Sequence, residues 1–117
     1  MVRRALTLFV QAEPSPEAGP VAVEVAYRIR AGEDQAFLDT IGGMKAPRRR
    51  HGATFWRAYK DLGEECRYVE RFIVASWADY LHQRARATVA DHALEAEVRA
   101  FLAPGETARM SHFIAER

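Results

Sequence analysis

Two histidines are the side chains in this sequence best suited to bind a ligand or to move a proton. His82 and His92 lie ten residues apart in a region with helical character. At about 3.6 residues per turn, that spacing does not place two side chains on one helix face. No further ligand of the metal-binding type lies at a useful spacing, so neither a metal nor a cofactor is expected. Each histidine is a candidate ligand or base, with an exposed helix position as the alternative.

An arginine and a glutamate on neighbouring predicted strands form a second candidate. If the two strands pair with Asp61 opposite Cys66, then Arg57 faces Glu70. Opposite charges that face each other across a strand pair stabilise the pair. One interpretation is a structural ion pair. The other is a polar group in an otherwise apolar cavity, where it would orient a small ligand.

Aromatic side chains near this pair complete the candidate site. Trp77 begins a predicted helix and is either a core anchor or part of a pocket wall. The hairpin strands add one tryptophan and one tyrosine. We therefore predict a ligand-binding set without an assigned catalytic residue: Trp77, Arg57, Glu70, Trp56, Tyr68, His82 and His92.

Other reactive residues carry weaker signals. The basic run over 48–51, RRRH, could hold a phosphate or a carboxylate, but at a helix end it also suits the helix dipole and a solvated surface. Cys66 lies beside Arg67 without an identifiable histidine partner, which argues against a nucleophile. The sequence contains no Gly-rich phosphate loop, no G-x-S-x-G and no H-E-x-x-H. Nucleotide-binding, hydrolase and zinc-protease functions are therefore disfavoured.

The composition is that of one globular domain. The chain has 117 residues, of which 49% are apolar, enough for a core. Its 17 basic and 16 acidic residues nearly balance, so no nucleic-acid partner is expected. A single cysteine permits no internal disulfide. With no evident signal peptide and no stretch of about 18 apolar residues, a cytoplasmic protein without a membrane span is predicted.

Hydrophobic periodicity predicts the elements that must position these residues. Residues 21–29 alternate strictly between apolar and mixed side chains, the strongest strand signal in the sequence. The predicted order is β-α-β-β-α-β, a ferredoxin-like α+β fold with a four-stranded antiparallel sheet and helices on one face. The elements are strands over 21–29, 53–61, 66–76 and 109–115, a helix over 33–49, and a second helix broken into segments over 77–86 and from 88 onward.

The helix boundaries follow from local signals. Phe37, Ile41 and Met44 form one apolar stripe on the first helix. Gly42-Gly43 weakens this helix, and Pro47 predicts that its regular part ends near Ala46. The second helix has two N-cap signals. Ser76 with Asp79, and Thr88 with Asp91, have the spacing of capping boxes.

The N-terminal segment is predicted to lie outside the folded domain. Residues 5–10 could form a short strand, and residues 11–20 contain three prolines and one glycine. Such a composition is typical of a linker or an extended arm. The predicted division is an arm over 1–20 and a ferredoxin-like domain over 21–117.

The predicted strands carry large apolar side chains on both faces. Phe55 and Tyr59 point opposite to Trp56, and Ile73 points opposite to Phe72. Helices of one chain can cover only one face of the sheet, so the second face is predicted to pack against another copy. The expected partner is therefore the chain itself, as a homodimer. A monomer with residues 1–20 folded over the sheet is the alternative.

The third strand and the helices after it resemble a known family. The runs VERFIVASWADYLHQ and TVADHALEAEVRAFL are similar to the soluble C-terminal domain of transmembrane secretion effectors, enterobactin-exporter-like transporters of the major facilitator type. The shared pattern E-x-F-x-V-x-S-W is carried by Glu70, Phe72, Val74, Ser76 and Trp77. Upstream, V-x-V-x-Y-R-I and R-R-x-G-A-x-x-W also match, so the resemblance covers about residues 21–115.

This resemblance implies a fold and three candidate functions. The family's domain looks like the dimeric α+β barrels, which include antibiotic-biosynthesis and haem-degrading monooxygenases. The first implied function is a bacterial, transporter-associated binding or regulatory module that takes a small hydrophobic or aromatic ligand. The second is a cofactor-independent monooxygenase acting on a polycyclic or quinol substrate. The third is haem degradation, for which Trp77 matches the family's tryptophan, whereas Ala87 stands in the histidine position and the chain has no asparagine.

Overall fold

The computed structural model describes residues 10–117 and contains a four-stranded antiparallel sheet with the strand order β2-β3-β1-β4. The helices pack on one face of the sheet, so the predicted ferredoxin-like α+β fold is confirmed. The elements are β1 (Val21–Arg28), α1 (Asp34–Gly42), α2 (Lys45–Arg50), β2 (Ala53–Lys60), β3 (Arg67–Val74), α3 (Trp77–Ala85), α4 (Val89–Arg99) and β4 (Arg109–Ile114). No helix within residues 10–117 has the length and apolar character to cross a membrane.

Strand β1 is the centre of the core, as its alternating pattern predicted. It pairs with β3 on one side and β4 on the other. Val23 and Tyr27 on its inner face are almost completely buried, while Glu24 and Arg28 on the outer face are only partly covered. The inner face packs against Phe37 and its neighbours on α1, against the start of α3 and against α4. This packing removes apolar surface from water along the whole strand.

The first helical region differs from its prediction. Phe37, Ile41 and Met44 are buried as the apolar stripe predicted, and the helix is interrupted after Gly42. However, α2 continues through Pro47 to Arg50, so the predicted end near Ala46 is wrong. Pro47 is the third residue of α2. Backbone N–H groups in the first turn have no partner within the helix, so a proline there breaks no hydrogen bond.

Helices α3 and α4 begin where the capping signals predicted. The Ser76 side chain accepts a hydrogen bond from the backbone N–H of Asp79 at 3.1 Å. Thr88 and Asp91 form a complete capping box at the start of α4. Each cap satisfies backbone donors that the helix itself leaves free. The two helices therefore start independently, and the break between them is confirmed.

The hairpin of β2 and β3 has a different register from the predicted one. Arg57 lies opposite Arg71, and Glu70 lies opposite Ala58. The loop explains the shift, because the Asp61 carboxylate accepts hydrogen bonds from Gly63 and Glu64 and Cys66 takes a positive φ of 61°. A slip of one residue exchanges the two faces of a strand. The predicted pairing of Arg57 with Glu70 is therefore wrong.

Residues 10–20 pack along the start of α3. The backbone carbonyls of Ala18 and Pro16 accept hydrogen bonds from the N–H groups of Trp77 and Ala78, each at 2.8 Å. Val10 packs against the adjacent part of the core. Of the strand predicted over 5–10, residues 5–9 lie outside the described residues. The domain boundary at residue 20 stays a prediction.

The outer face of the sheet carries side chains in rows across the four strands. One row is apolar and consists of Phe113, Ala22, Ile73 and Phe55. The next row is polar and contains the ion pair of Glu24 with Arg71. Phe113 is 52% exposed and Tyr59, in a third row, is 39% exposed. The outer face is thus amphipathic, in contrast to the buried inner face.

Replacing Gly19 by alanine should reveal whether the arm contributes to stability. A Cβ atom at Gly19 would collide with the carbonyl oxygen of Ala75 and lie 2.9 Å from the Cα atom of Ser76. We expect Gly19→Ala to lower the free energy of unfolding by about 1–3 kcal/mol, as overpacking does. Urea denaturation followed by circular dichroism measures this change.

Gly42→Ala is the matched control, because a Cβ atom at Gly42 meets nothing within 4 Å. In a helix this replacement should leave stability unchanged or raise it by up to about 1 kcal/mol. Equal stabilities of the two variants would contradict a structural role for the arm.

Candidate functional site

A cavity of about 80 Å³ lies between the inner face of the sheet and helices α2, α3 and α4. Its apolar wall comes mainly from Met44, Phe72 and Met110. Its polar wall consists of Arg48, His51, Tyr80, Gln83, Arg84, Asp91, His92 and Glu95. An apolar cavity with a few converging polar groups is the usual form of a small-molecule site. Its volume lies well below the roughly 300–1,000 Å³ of pockets for drug-sized ligands, so only a small molecule fits without rearrangement.

The fully buried carboxylate of Glu70 lies behind this cavity. Arg48 donates two hydrogen bonds to it, from Nε to Oε2 at 2.9 Å and from Nη2 to Oε1 at 3.2 Å. The indole Nε1 of Trp56 donates a third, to Oε2 at 2.8 Å. Such a two-pronged arginine contact fits a carboxylate well. Together, the three hydrogen bonds connect α2 to β3 through Arg48 and β2 to β3 through Trp56.

Electrostatics show that this pair is neutralised internally. Burial alone would lower the pKa of Arg48, but the charge and hydrogen bonds of Glu70 outweigh burial and hold that pKa above its usual value. The Arg48 guanidinium also lies 4.5 Å from the centre of the Phe72 ring. Burial, followed by the Glu70 charge, raises the pKa of Tyr27. Glu70 and Arg48 thus satisfy each other and offer little free charge to a ligand.

A second polar group forms where α3 meets β4. The hydroxyl of Tyr80 lies 2.7 Å from Nε2 of His112. Arg84 donates from Nη1 to the Tyr80 hydroxyl oxygen at 3.4 Å and to the sulfur of Met110 at 3.7 Å. Arg84 Nε and His112 Nδ1 are buried and have no hydrogen-bond partner among residues 10–117. Unpaired buried polar atoms are costly and mark this corner of the cavity as incompletely satisfied.

His112 is uncharged at neutral pH. Burial, and then the positive charge of Arg84, lower its pKa to about 4. Burial also raises the pKa of Tyr80 above its usual value. The pair therefore consists of a neutral imidazole and a protonated phenol. Of the two, Tyr80 lines the cavity and can form a hydrogen bond with a ligand, whereas His112 lies behind it and borders the groove beside the arm.

The rim of the cavity is an ion-pair cluster between α2 and α4. Asp91 lies 3.0 Å from Nε2 of His51 and 3.2 Å from Nη2 of Arg50. Hydrogen bonding from the Thr88 backbone is the main cause that lowers the pKa of Asp91. These contacts close one end of the cavity and hold the start of α4 against α2.

The predicted site residues only partly come together. Glu70 and Trp56 meet as described, but Arg57 lies on the outer face and is exposed. His92 reaches the rim, with a 66% exposed side chain whose Nδ1 lies 3.3 Å from Glu95. His82 is exposed on α3 and is not part of the cavity lining. The prediction that the two histidines do not share one face agrees with this arrangement.

The two remaining predicted residues are buried away from the cavity. Tyr68 donates a hydrogen bond to Asp34 at 2.6 Å, and this bond is the main cause that raises its pKa to about 12. Trp77 lies in the core beside Tyr80 and donates from Nε1 to Glu13 at 3.1 Å. It borders a separate groove of about 190 Å³ between the arm and β4.

Three polar residues in or beside the site were missed in the sequence: Tyr80 and Arg84 in the cavity lining, and His112 behind Tyr80. For His112 a signal was present, because it shares strand parity with Met110 and Ile114 and so must point inward. Arg84 follows Tyr80 by four residues, the spacing of neighbours on one helix face. Arg48 was considered only as part of the basic run over 48–51, which could hold a phosphate or a carboxylate, and in the structure it holds the carboxylate of Glu70.

The described residues do not gather into a metal site. Within residues 10–117, no group of three His, Cys, Asp or Glu side chains is placed to hold a metal ion. Cys66 is a half-buried free thiol in the loop between β2 and β3.

Comparison with known families identifies the chain's relatives. The model of the transmembrane secretion effector family matches residues 5–117. The chain belongs to this family. No significant match was found among curated proteins.

Solved structures share the fold of this transmembrane secretion effector chain at low sequence identity. A candidate antibiotic biosynthesis monooxygenase from Caulobacter crescentus has a TM-score of 0.72 and 14% identity, with 97% of this chain and 99% of that chain covered. SnoaB, a cofactor-independent oxygenase from Streptomyces nogalater, has a TM-score of 0.68 and 16% identity over 86% of this chain and 96% of its own. A NIPSNAP family protein from Agrobacterium tumefaciens has a TM-score of 0.65 and 16% identity over 87% and 90%. The predicted likeness to antibiotic-biosynthesis monooxygenases is confirmed at the level of fold.

Removing the buried charge at Glu70 should destabilise this transmembrane secretion effector domain strongly. In Glu70→Gln the buried Arg48 charge loses its counter-ion, which typically costs about 3–5 kcal/mol. Replacing both, as Arg48→Met with Glu70→Leu, should recover much of this loss because no unpaired charge stays buried. Urea denaturation of Arg48→Met, Glu70→Leu and their double variant gives the coupling free energy.

The exposed pair of Glu24 and Arg71 supplies the control. Because water and salt screen it, Arg71→Met should change the free energy of unfolding by less than about 1 kcal/mol. A similar small loss in Glu70→Gln would show that the buried pair does not hold the site together.

Proposed function

We propose that this domain binds a small hydrophobic or aromatic molecule in the cavity between its sheet and its helices, as a non-catalytic binding or regulatory module of the transmembrane secretion effector family. The observation that best supports this proposal is the cavity itself, whose apolar wall of Met44, Phe72 and Met110 is lined on the other side by Arg84 and Tyr80. Arg84 lines this cavity and its Nε atom has no partner among residues 10–117, which supports a bound ligand. Family membership supports a role alongside export.

The pairing of Glu70 with Arg48 favours binding over catalysis. A general acid or base must reach the reacting atom and must be able to change its protonation state. Glu70 instead accepts three hydrogen bonds from Arg48 and Trp56 and is fully buried. The carboxylate is therefore committed to structure, and the cavity retains mainly groups that position a ligand.

A cofactor-independent monooxygenase is the second candidate, and the pair of Tyr80 with His112 supports it. Tyr80 lines the cavity and its hydroxyl lies 2.7 Å from the neutral imidazole of His112, so this pair can orient an acidic substrate by hydrogen bonding. In such enzymes the deprotonated substrate itself reacts with oxygen, and the protein supplies desolvation and orientation. The fold likeness to SnoaB is in line with this candidate. The small cavity volume weighs against a polycyclic substrate.

We further propose that the domain works as a homodimer with the outer sheet faces packed together. The apolar row of Phe113, Ala22, Ile73 and Phe55 supports this arrangement, because helices of the same chain cover only the inner face. Burying such a row in a two-fold interface removes apolar surface from water in both copies. The interior of the cell, where a reduced Cys66 persists, is the expected location.

Ligand binding should appear as local changes in nuclear magnetic resonance spectra. One-ring aromatic compounds are expected to shift the methyl signals of Met44 and Met110, which line the cavity. Ala87→Leu should abolish these shifts by filling the cavity, whereas Ala90→Leu, at an exposed α4 position, should preserve them. The absence of shifts in the folded wild-type protein at millimolar ligand would refute the binding function.

An oxygen-uptake measurement on the same protein distinguishes ligand binding from oxygenation. With an anthrone-like compound under air, we expect no oxygen uptake above the protein-free rate. Uptake that His112→Ala abolishes would instead establish the second candidate. A Soret band on haem titration would instead indicate that the domain binds haem.

Light scattering tests the proposed dimer. Wild type at micromolar concentration is expected to have twice the mass of the chain. Ile73→Arg, at the centre of the outer face, should yield monomers because it would bury an unpaired charge in the interface. Val89→Arg, on α4 where the side chain is 87% exposed, should stay dimeric. A monomeric wild-type protein would contradict the proposal.

A further inference from the structure

We propose that the cavity selects a small organic anion, a carboxylate or phenolate on an apolar ring, and that Arg84 binds its charge. This inference rests on the proposed ligand-binding function and names the chemical class of the ligand. It follows from a difference between the two arginines that line the cavity, Arg48 and Arg84.

Arg84 has only neutral acceptors. Its Nη1 atom donates to the Tyr80 hydroxyl at 3.4 Å and to the Met110 sulfur at 3.7 Å, both long contacts. Its Nε atom is buried and has no acceptor within the described part of the chain. Among residues 10–117, no Asp or Glu side chain forms an ion pair with Arg84, whereas Arg48 contacts Glu70 at 2.9 Å. A partly buried guanidinium in this state gains free energy from an anion.

The acidic groups of the cavity are not available to fill this role. The two carboxylates of the lining are already engaged, Asp91 with Arg50 and His51, and Glu95 with His92 and, at 4.0 Å, with Arg48. Glu70, behind the cavity, is engaged with Arg48. Pairing one of them with Arg84 would break an existing contact. An external anion can approach Arg84 without such a loss.

The surroundings of Arg84 define the rest of the ligand. Burial raises the pKa of Tyr80, so it is protonated at neutral pH, and when His112 donates from Nε2 to the Tyr80 oxygen the hydroxyl proton can turn to the same anion. Met44, Phe72 and Met110 form an apolar wall that suits a hydrocarbon ring. The cavity of about 80 Å³ limits that ring system to a small size. A neutral ligand of the same shape would leave the Arg84 charge unpaired.

Benzoate and benzamide are the matched probes, because they share the ring and differ in charge. Calorimetric titration of the full chain at pH 7 should show benzoate binding about tenfold tighter or more, since hydrogen bonds to charged groups exceed neutral ones by about that factor. Arg84→Met should remove most of this preference. Arg86→Met, at the exposed end of α3 and outside the cavity lining, should preserve it.

Distinct outcomes separate the inference from the proposed function. Equal affinity of the wild type for both probes, or a benzoate preference that survives Arg84→Met, overturns the anion assignment and leaves ligand binding intact. Binding of neither probe, while other neutral rings shift the cavity methyl signals, also overturns only the anion assignment. Binding of no ring compound at all overturns both. If Arg84→Met does not fold, Arg84→Lys replaces it and should lower the preference, because lysine lacks the planar two-pronged geometry.

Discussion

The buried carboxylate of Glu70 is the constraint on which the rest of this structure depends. A charge in the interior persists only if donors surround it, and here Arg48 from α2 and Trp56 from β2 supply all three hydrogen bonds. These bonds join the first helical region to the hairpin. They also explain why α2 continues through Pro47, because Arg48 must lie over β3 to reach its partner.

The same constraint shapes the electrostatics of the cavity. Once Arg48 is neutralised by Glu70, the positive charge that can still act on a ligand is that of Arg84. It lies beside Tyr80, whose hydroxyl contacts a neutral His112. On one side of the cavity the Arg48 charge is paired with Glu70, and on the other side the Arg84 charge has no counter-ion among the described residues. Ligand binding is favoured where buried polar atoms lack partners, since the ligand can supply the missing hydrogen bonds.

The two faces of the sheet differ in what covers them. Alternation along β1 sends valines and Tyr27 inward to the helices, while the outer face receives smaller or charged side chains. Much of this was predictable, because strict alternation, the apolar stripe of Phe37 and Ile41, and the cap at Ser76 are local signals. Phe113, exposed on the outer face, shows that apolar surface remains for a partner.

The sequence by itself determined the element order, the starts of α3 and α4 and which residues within one strand share a face, because these depend on periodicity and on contacts between residues near in the chain. Only the tertiary structure decided which charges meet. The register of the hairpin depends on the Asp61 turn and on the positive φ of Cys66, and it separates Arg57 from Glu70. Arg48, distant in sequence, takes that place because burial of Glu70 requires a cation on the inner face.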